Sequence, residues 1–265
     1  MADATAARRA MAILRCLAAA PGPVPAAVIA RDVGLPRSSA YHLLTAMADD
    51  GFVVHYPGEQ RWGLGVAAFE IGTAYLRQEP LQRLAPQVLR SVARRLPADL
   101  PAVVHCAVLH GRETLYVATT STPRAFSIVA EVGVRLPANL TASGRAMLAL
   151  LPAAQVRALF PDGRAFVDRT GVGPLTPAAL TRLLAQERRA GVSVEEGMVA
   201  SGFASVAASS TDREGRPAAS VGVTVHAPRL ASGQRAALAS AVTRGAHDLS
   251  LLLGGAGQLR FTVSP

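Results

Sequence analysis

"LPRSSAYHLLTAMADDGFVVHYPGEQRWGLG", residues 35–65, is the stretch whose reading decides the fold. Ala40, Leu43, Leu44 and Met47 recur at the i, i+3, i+4, i+7 spacing of one buried helical stripe. The opposite flank carries Arg37, Ser38, Tyr41, His42 and Thr45. A flank that faced only water would ordinarily hold solubilising charges. This one holds hydrogen-bonding groups, which suit the edges of bases. Gly51 closes the helix, "FVVHY" reads as a strand, Pro57 to Gln60 as a turn, and Trp62 to Leu64 as a return strand.

Working upstream, residues 5–20 predict a first helix, stopped by "PGPVP". A second helix over 25–33 places Ala26, Ile29, Ala30 and Val33 on one face, and Gly34 supplies the left-handed residue that ends it. Helix, helix, tight turn, helix, hairpin is the order of a winged helix-turn-helix, whose third helix enters the major groove. Arg37, near that helix's start, carries a planar fork that matches the two acceptors of guanine. Ser38, Ser39 and Tyr41 suit phosphate or base edges, and Arg61 beside the hairpin turn suits sugar and phosphate. His42 and Thr45 complete the expected contact set; His42 reads equally as a packing residue.

Composition sets the outer limits. Of 265 residues, 50% are hydrophobic and 17% charged, so the chain can bury a large core and is not a disordered polymer. The net charge is +9, and Arg supplies every positive side chain apart from His. Residues 1–64 hold six Arg against five acids, so most of the excess lies elsewhere and overall basicity is weak support for nucleic-acid binding. Two cysteines, Cys16 and Cys106, do not form a disulfide framework and fit a reducing cytoplasm. "ARRAMAILRCLAAAPG" resembles a secretion signal, but Arg15 interrupts the apolar run, and Ile13, Leu14 and Leu17 keep helical spacing. No run approaches the roughly 18 apolar residues of a membrane span.

Downstream, "VAAFEIGTAYL" predicts a mainly apolar helix through Val66, Phe69, Gly72, Ala74 and Tyr75, suited to a dimer seam. A second helical stretch over 81–96 carries Arg83, Arg90, Arg94 and Arg95, most simply a solvated face. "AVVHCAVLHG", "ETLYVATT" and "AFSIVAEVG" predict three strands, with helices at 140–151 and 177–190. "GFASVAASS" and "PAASVGVTV" predict two more strands around the turn "TDREGR", before a last helix over 232–253. The fold class is α+β, with a GAF-like sensor.

Four features together resemble the IclR family of bacterial transcriptional regulators over nearly the whole chain. They are "GLPRSSAYHLLTAMADDGFV", the wing ending "WGLG", "VGVRLPANLTASGRAMLALLP" and "GVSVEEGMVASGFASVAASSTDREGRPAASVGVTV". The resemblance implies a winged helix-turn-helix over 1–65, a linker helix over 66–80, a GAF-like effector domain over 81–255, and a flexible tail over 256–265. It implies a homodimer or tetramer on double-stranded, palindromic operator DNA. It also implies a small-molecule effector, often a carboxylate or aromatic acid. Carried over residue by residue, the effector site corresponds to Ala142, Ser143, Glu195, Ser205, Gly222 and Thr224, with the N–H groups of Ala142 and Ser143 cradling an anion.

Departures from the family pattern bear on that site. Gly222 replaces a hydroxyl residue, Met198 an acid, Ser209 a proline, and His42 an arginine of the reading helix. A cavity lacking one hydroxyl and one acid implies a larger or less polar ligand.

Catalysis is not expected. His105 and Cys106 in "HCAVLH" fall on opposite faces of a strand and cannot share one metal ion, and His110 abuts the turn at Gly111. "TASGRAML" and "GFASVA" miss the Gly-x-Ser-x-Gly spacing, and no phosphate loop or dinucleotide fingerprint occurs. No metal and no cofactor are expected. The competing reading is a metabolite-binding or enzymatic GAF-like protein that does not use its helical module on DNA.

Overall fold

In the computed structural model the chain falls into two compact units, Met1–Glu79 and Pro80–Pro265. The structure describes residues 2–78, 80–125, 131–229 and 232–254.

In the first unit the predicted order is observed, with one addition. Helix α1 spans Ala2–Ala19, α2 Ala26–Val33 and α3 Arg37–Asp49; strands β2 (Val53–Tyr56) and β3 (Arg61–Leu64) form the hairpin. The addition is β1, Val24–Pro25, inside the "PGPVP" stretch expected only to stop a helix. It pairs antiparallel with β3, giving a three-stranded sheet of order β1-β3-β2. Pro tolerates this place because β1 is an edge strand. Gly34 ends α2 at φ 69°, a left-handed turn that an L side chain resists. Ile13, Leu17, Ile29, Leu44, Met47, Val53 and Trp62 close the core of this unit. Helix α4, Val66–Gln78, follows the wing.

The second unit is built on a six-stranded antiparallel sheet of order β6-β5-β4-β9-β8-β7. The strands are β4 (Val103–His110), β5 (Glu113–Ser121), β6 (Arg135–Pro137), β7 (Ser193–Glu196), β8 (Phe203–Thr211) and β9 (Pro217–His226). On one face lie α5 (Pro80–Arg95) and α9 (Ser232–Leu252), packed through Val88, Leu89, Val92, Leu238, Val242 and Leu249 onto Val104, Cys106, Val206, Val221 and Val223. Residues two apart on each strand share that face, as a period of two demands. On the other face sits α6, Ala142–Leu148, with Ala142 and Ala146 against Ala207. Beyond it, α7 (Ala153–Leu159) and α8 (Pro177–Ala190) join Leu148, Phe160, Leu180 and Leu184 in a separate apolar cluster. The architecture is α+β, as expected.

Three elements were not anticipated: β6, β7 and α7, each seven residues or fewer. The strand expected over 125–133 falls largely on residues 126–130, outside the described residues, as does the expected tail over 256–265.

A β-bulge decides which way β5 points its side chains. Cys106 pairs with Ala118, but Ala107 pairs with Tyr116, so β5 carries an extra residue there. Val117 and Ala118 both join the α5/α9 core, while Tyr116 turns to the α6 face with Ala107 and Leu136.

Candidate functional site

The reading helix presents its polar flank outward. Arg37, Ser38, Tyr41, His42 and Thr45 are exposed, Ser39 is half-buried, and Ala40, Leu44 and Met47 are buried beneath them. Two of these groups are already engaged within the unit. The Thr45 hydroxyl donates to the Tyr41 carbonyl at 3.0 Å, and the Tyr41 ring stands edge-on to Trp62 at 5.8 Å. The His55 ring also packs on Trp62, tilted at 4.4 Å, so that one buried indole ties the reading helix to the wing. Arg61 lies at the wing as expected, with its Nη1 donating to the Pro23 carbonyl at 2.9 Å. That bond pins β1 to β3 and leaves part of the guanidinium for another acceptor.

In the second unit a cavity of about 480 Å³ opens between α6 and the sheet. That volume suits a small organic ligand. Ala142, Ser143, Glu195, Ser205 and Thr224 line it, five of the six residues named from sequence. Gly222 is not among the described lining residues, and the space beside it is taken by His105. The two residues face each other across β4 and β9, and a Cβ on Gly222 would stand 2.3 Å from Cε1 of the His105 ring. The imidazole occupies the space the glycine leaves.

His105 was considered in the sequence only as a metal or thiol partner. It lines the cavity with Tyr116, whose ring meets it edge-on at 5.1 Å. Simple strand alternation would have turned Tyr116 with Ala118 toward the other face; only the bulge reveals it. Cys106 points away into the opposite core, where burial pushes its thiol up to about 12. Among the described residues no group of three His, Cys, Asp or Glu could hold a metal ion.

The polar wall of the cavity is a connected row. Ser205 Oγ lies 2.9 Å from Thr224 Oγ1, Thr224 Oγ1 lies 3.1 Å from His105 Nε2, and His105 Nδ1 approaches Ser143 Oγ at 3.5 Å. Burial lowers the His105 pKa to about 4, so the ring is neutral at pH 7, one nitrogen donating and the other accepting. At the end of that row, beside its register partner Ser205, Glu195 Oε1 accepts from the main-chain N–H groups of Met198 and Val199 at 2.7 and 3.2 Å. Burial raises its pKa while those two bonds favour the carboxylate. Val134, Leu136, Val199 and Phe203 make the apolar wall.

Arg145 of α6 fixes this arrangement. Its side chain is fully buried, and Nε donates to both oxygens of Glu187, at 2.9 and 3.2 Å. Nη1 donates to the carbonyls of Leu140 and Asn139 and to Met198 Sδ, and Nη2 to the carbonyl of Val194. Met198, standing where the family pattern has an acid, thus serves as a weak acceptor for a buried guanidinium. Arg145 binds together the start of α6, β7 and the Met198 loop, which carry Ser143, Glu195 and Val199.

A winged helix-turn-helix with a bare polar reading flank, and a separate sheet-backed cavity able to take a small molecule, define a ligand-sensing, DNA-binding transcriptional regulator. The family profiles agree: residues 6–57 match the IclR helix-turn-helix domain, and residues 73–251 match the bacterial transcriptional regulator IclR C-terminal domain. The chain belongs to the IclR family. It is 32% identical over 222 residues to the glycerol operon regulatory protein of Streptomyces coelicolor, covering 84% of this chain and 85% of that one. The fold resembles an IclR transcriptional regulator from Silicibacter sp. TM1040, with TM-score 0.82, 20% identity, and coverage of 96% and 98%. It also resembles an IclR homologue from Microbacterium hydrocarbonoxydans in complex with 4-hydroxybenzoate, with TM-score 0.76, 22% identity, and coverage of 94% and 99%.

Proposed function

We propose that this regulator reads a palindromic operator with α3 and releases or grips it according to what fills the cavity of its second unit. The observation that carries the reading is the exposure of Arg37, Ser38, Tyr41, His42 and Thr45 on one flank of a helix whose other flank is buried. A helix about 10 Å across fits the major groove, and Arg37 in its first turn is placed to contact guanine. Residues 1–65 read DNA, 66–80 link, and 81–255 sense; the module does no catalysis, consistent with its regulator relatives. Free thiols at Cys16 and Cys106 suit the cytoplasm.

Two copies are needed to read two half-sites. Helix α4 offers the seam: Val66, Phe69 and Ile71 are 66%, 72% and 59% exposed, an unusual concentration of solvent-facing apolar residues on one short helix. Tyr75, named for the same seam, has its side chain outside the described residues.

The effector is a small molecule held by Ser143, Glu195, Ser205 and Thr224. Its N–H contacts come from Ala142 and Ser143, whose main-chain donors lie in the first turn of α6 and have no acceptor within the helix. The family resemblance implies a carboxylate or aromatic acid, and the Microbacterium homologue binds 4-hydroxybenzoate, which carries a hydroxyl as well as an acid group. The acid group, however, meets no side-chain cation among the lining residues.

The test is a mobility shift on DNA from upstream of the chain's own gene, with and without candidate effectors. A retarded band that salt weakens and an effector alters supports the reading. Absence of any sequence-selective band refutes it.

A further inference from the structure

The charge of the cavity wall names the kind of molecule it takes. Among the described residues fourteen line it, two of them acids, Glu195 and Glu131, and none of them Arg. The buried cation of the same helix, Arg145, is turned away from this space and spends its donors on Glu187, three main-chain carbonyls and Met198. Among the described lining residues His105 is the only basic side chain left, and its buried ring is surrounded by Thr224, Ser143 and Tyr116, none of which carries a charge at neutral pH. What remains is a row of hydroxyls and one neutral imidazole that ends beside Glu195, between apolar walls.

We propose that the effector of this chain is an uncharged, hydroxyl-bearing small molecule with an apolar body, selected by the Ser143–His105–Thr224–Ser205 row, with His105 seated there by the absent side chain at Gly222. The proposal rests on reading this cavity as the effector site. A ligand hydroxyl can donate to Glu195 and accept from the row in turn, and it meets each group without a charge to neutralise. A ligand carboxylate beside Glu195 meets an acid and no side-chain cation among the described lining residues, so it binds more weakly than the matching alcohol. The two N–H groups at the start of α6 serve a hydroxyl or carbonyl oxygen as readily; at seven residues the helix is too short to favour an anion strongly. Gly222 and His105 act as one device. A serine at 222 would bring a hydroxyl into the cavity but would displace the imidazole, so this chain has exchanged a fixed donor for a ring that both donates and accepts.

The experiment is a fragment library built as matched alcohol and acid pairs, 4-hydroxybenzyl alcohol against 4-hydroxybenzoate and glycerol against glycerate among them. Binding is read by thermal shift and calorimetry on the full chain. The expected hits are alcohols, binding at least tenfold tighter than their acids; a hit set led by the acids, or no preference in any pair, overturns the proposal. Glu195→Gln should raise the affinity of the acids relative to that of the alcohols about tenfold or more, and an unchanged ratio counts against the charge argument. Gly222→Ala drives the imidazole from its place, and the double variant Gly222→Ala with His105→Ala removes that collision. The double variant should regain the melting temperature lost by Gly222→Ala yet bind alcohol hits at least tenfold more weakly than the native chain. Native affinity in that folded variant removes His105 from the site. A hit that binds the cavity but leaves DNA affinity unchanged refutes the effector reading alone, without touching the ligand class.

Discussion

Glu187→Ala is the substitution whose cost the structure fixes most closely. Arg145 has no exposed side-chain surface and Glu187 only 7%, and their charged groups meet at 2.9 Å. Removing the carboxylate leaves a buried guanidinium facing carbonyl dipoles and a thioether, with no countercharge in contact. Unpaired buried charges of this kind cost about 3–5 kcal/mol. Coulomb's law gives a similar figure, about 4 kcal/mol for unit charges about 4 Å apart at an effective dielectric of about 20. With a urea dependence of about 2–3 kcal/mol per molar, the unfolding midpoint of the second unit should drop by roughly 1–2 M. The control is Asp248→Ala, which breaks the Arg95–Asp248 pair, 36% and 38% exposed, and should cost under about 1 kcal/mol. Replacing both partners, Arg145→Met with Glu187→Leu, should recover most of the loss, because the charge goes with its partner. A Glu187→Ala variant no less stable than Asp248→Ala would refute the claim that this pair anchors α6 to α8.

Other outcomes follow from the same geometry. Arg37→Ala should weaken operator binding by about 1–3 kcal/mol and relax selection at one base position, measured by anisotropy on a set of point-mutated duplexes; an equal loss on every duplex makes Arg37 a phosphate contact. The neutral His105 ring contributes stability that is fully present above pH 6.5 and lost as pH falls toward 4, up to roughly 3 kcal/mol. Urea titrations of the native chain and of His105→Gln should therefore converge as pH falls through that window, and a gap that stays constant contradicts the assignment. Phe69→Glu puts a charge on the exposed apolar face of α4 and should shift sedimentation toward monomer, with loss of binding to two-half-site DNA; unchanged sedimentation moves the seam elsewhere.

What was legible in the sequence was local. The α3 stripe and flank obey a period of 3.6 over a helix of 13 residues, and Gly34 marks its neighbour's end, so the reading module emerges from spacing alone. Strand β1 was hidden because a valine and a proline alone have no period to detect; they become a strand only when Trp62 and Arg61 come alongside. The cavity was half visible. Ser143, Glu195, Ser205 and Thr224 were placed by family pattern, and each lines it. Tyr116 was out of reach because a one-residue bulge reverses the face on which it falls, and no local signal marks that bulge. Gly222 was read as a missing hydroxyl, since sequence alone does not say which side chain moves into the gap a glycine leaves. The answer, His105, lies 117 positions earlier, on a neighbouring strand.

Everything functional turns on whether the Arg37–Thr45 flank recognises bases. In vitro selection from random duplexes, run in parallel on the native chain and on a variant with Arg37, Tyr41 and His42 all replaced by Ala, measures this directly. The account predicts that the native chain enriches a two-fold symmetric motif with half-sites on one face of the duplex. Affinity for that motif should fall steeply with salt, and the triple variant should enrich nothing while keeping its fold. Enrichment of the same motif by both proteins, or of none by either, would contradict it.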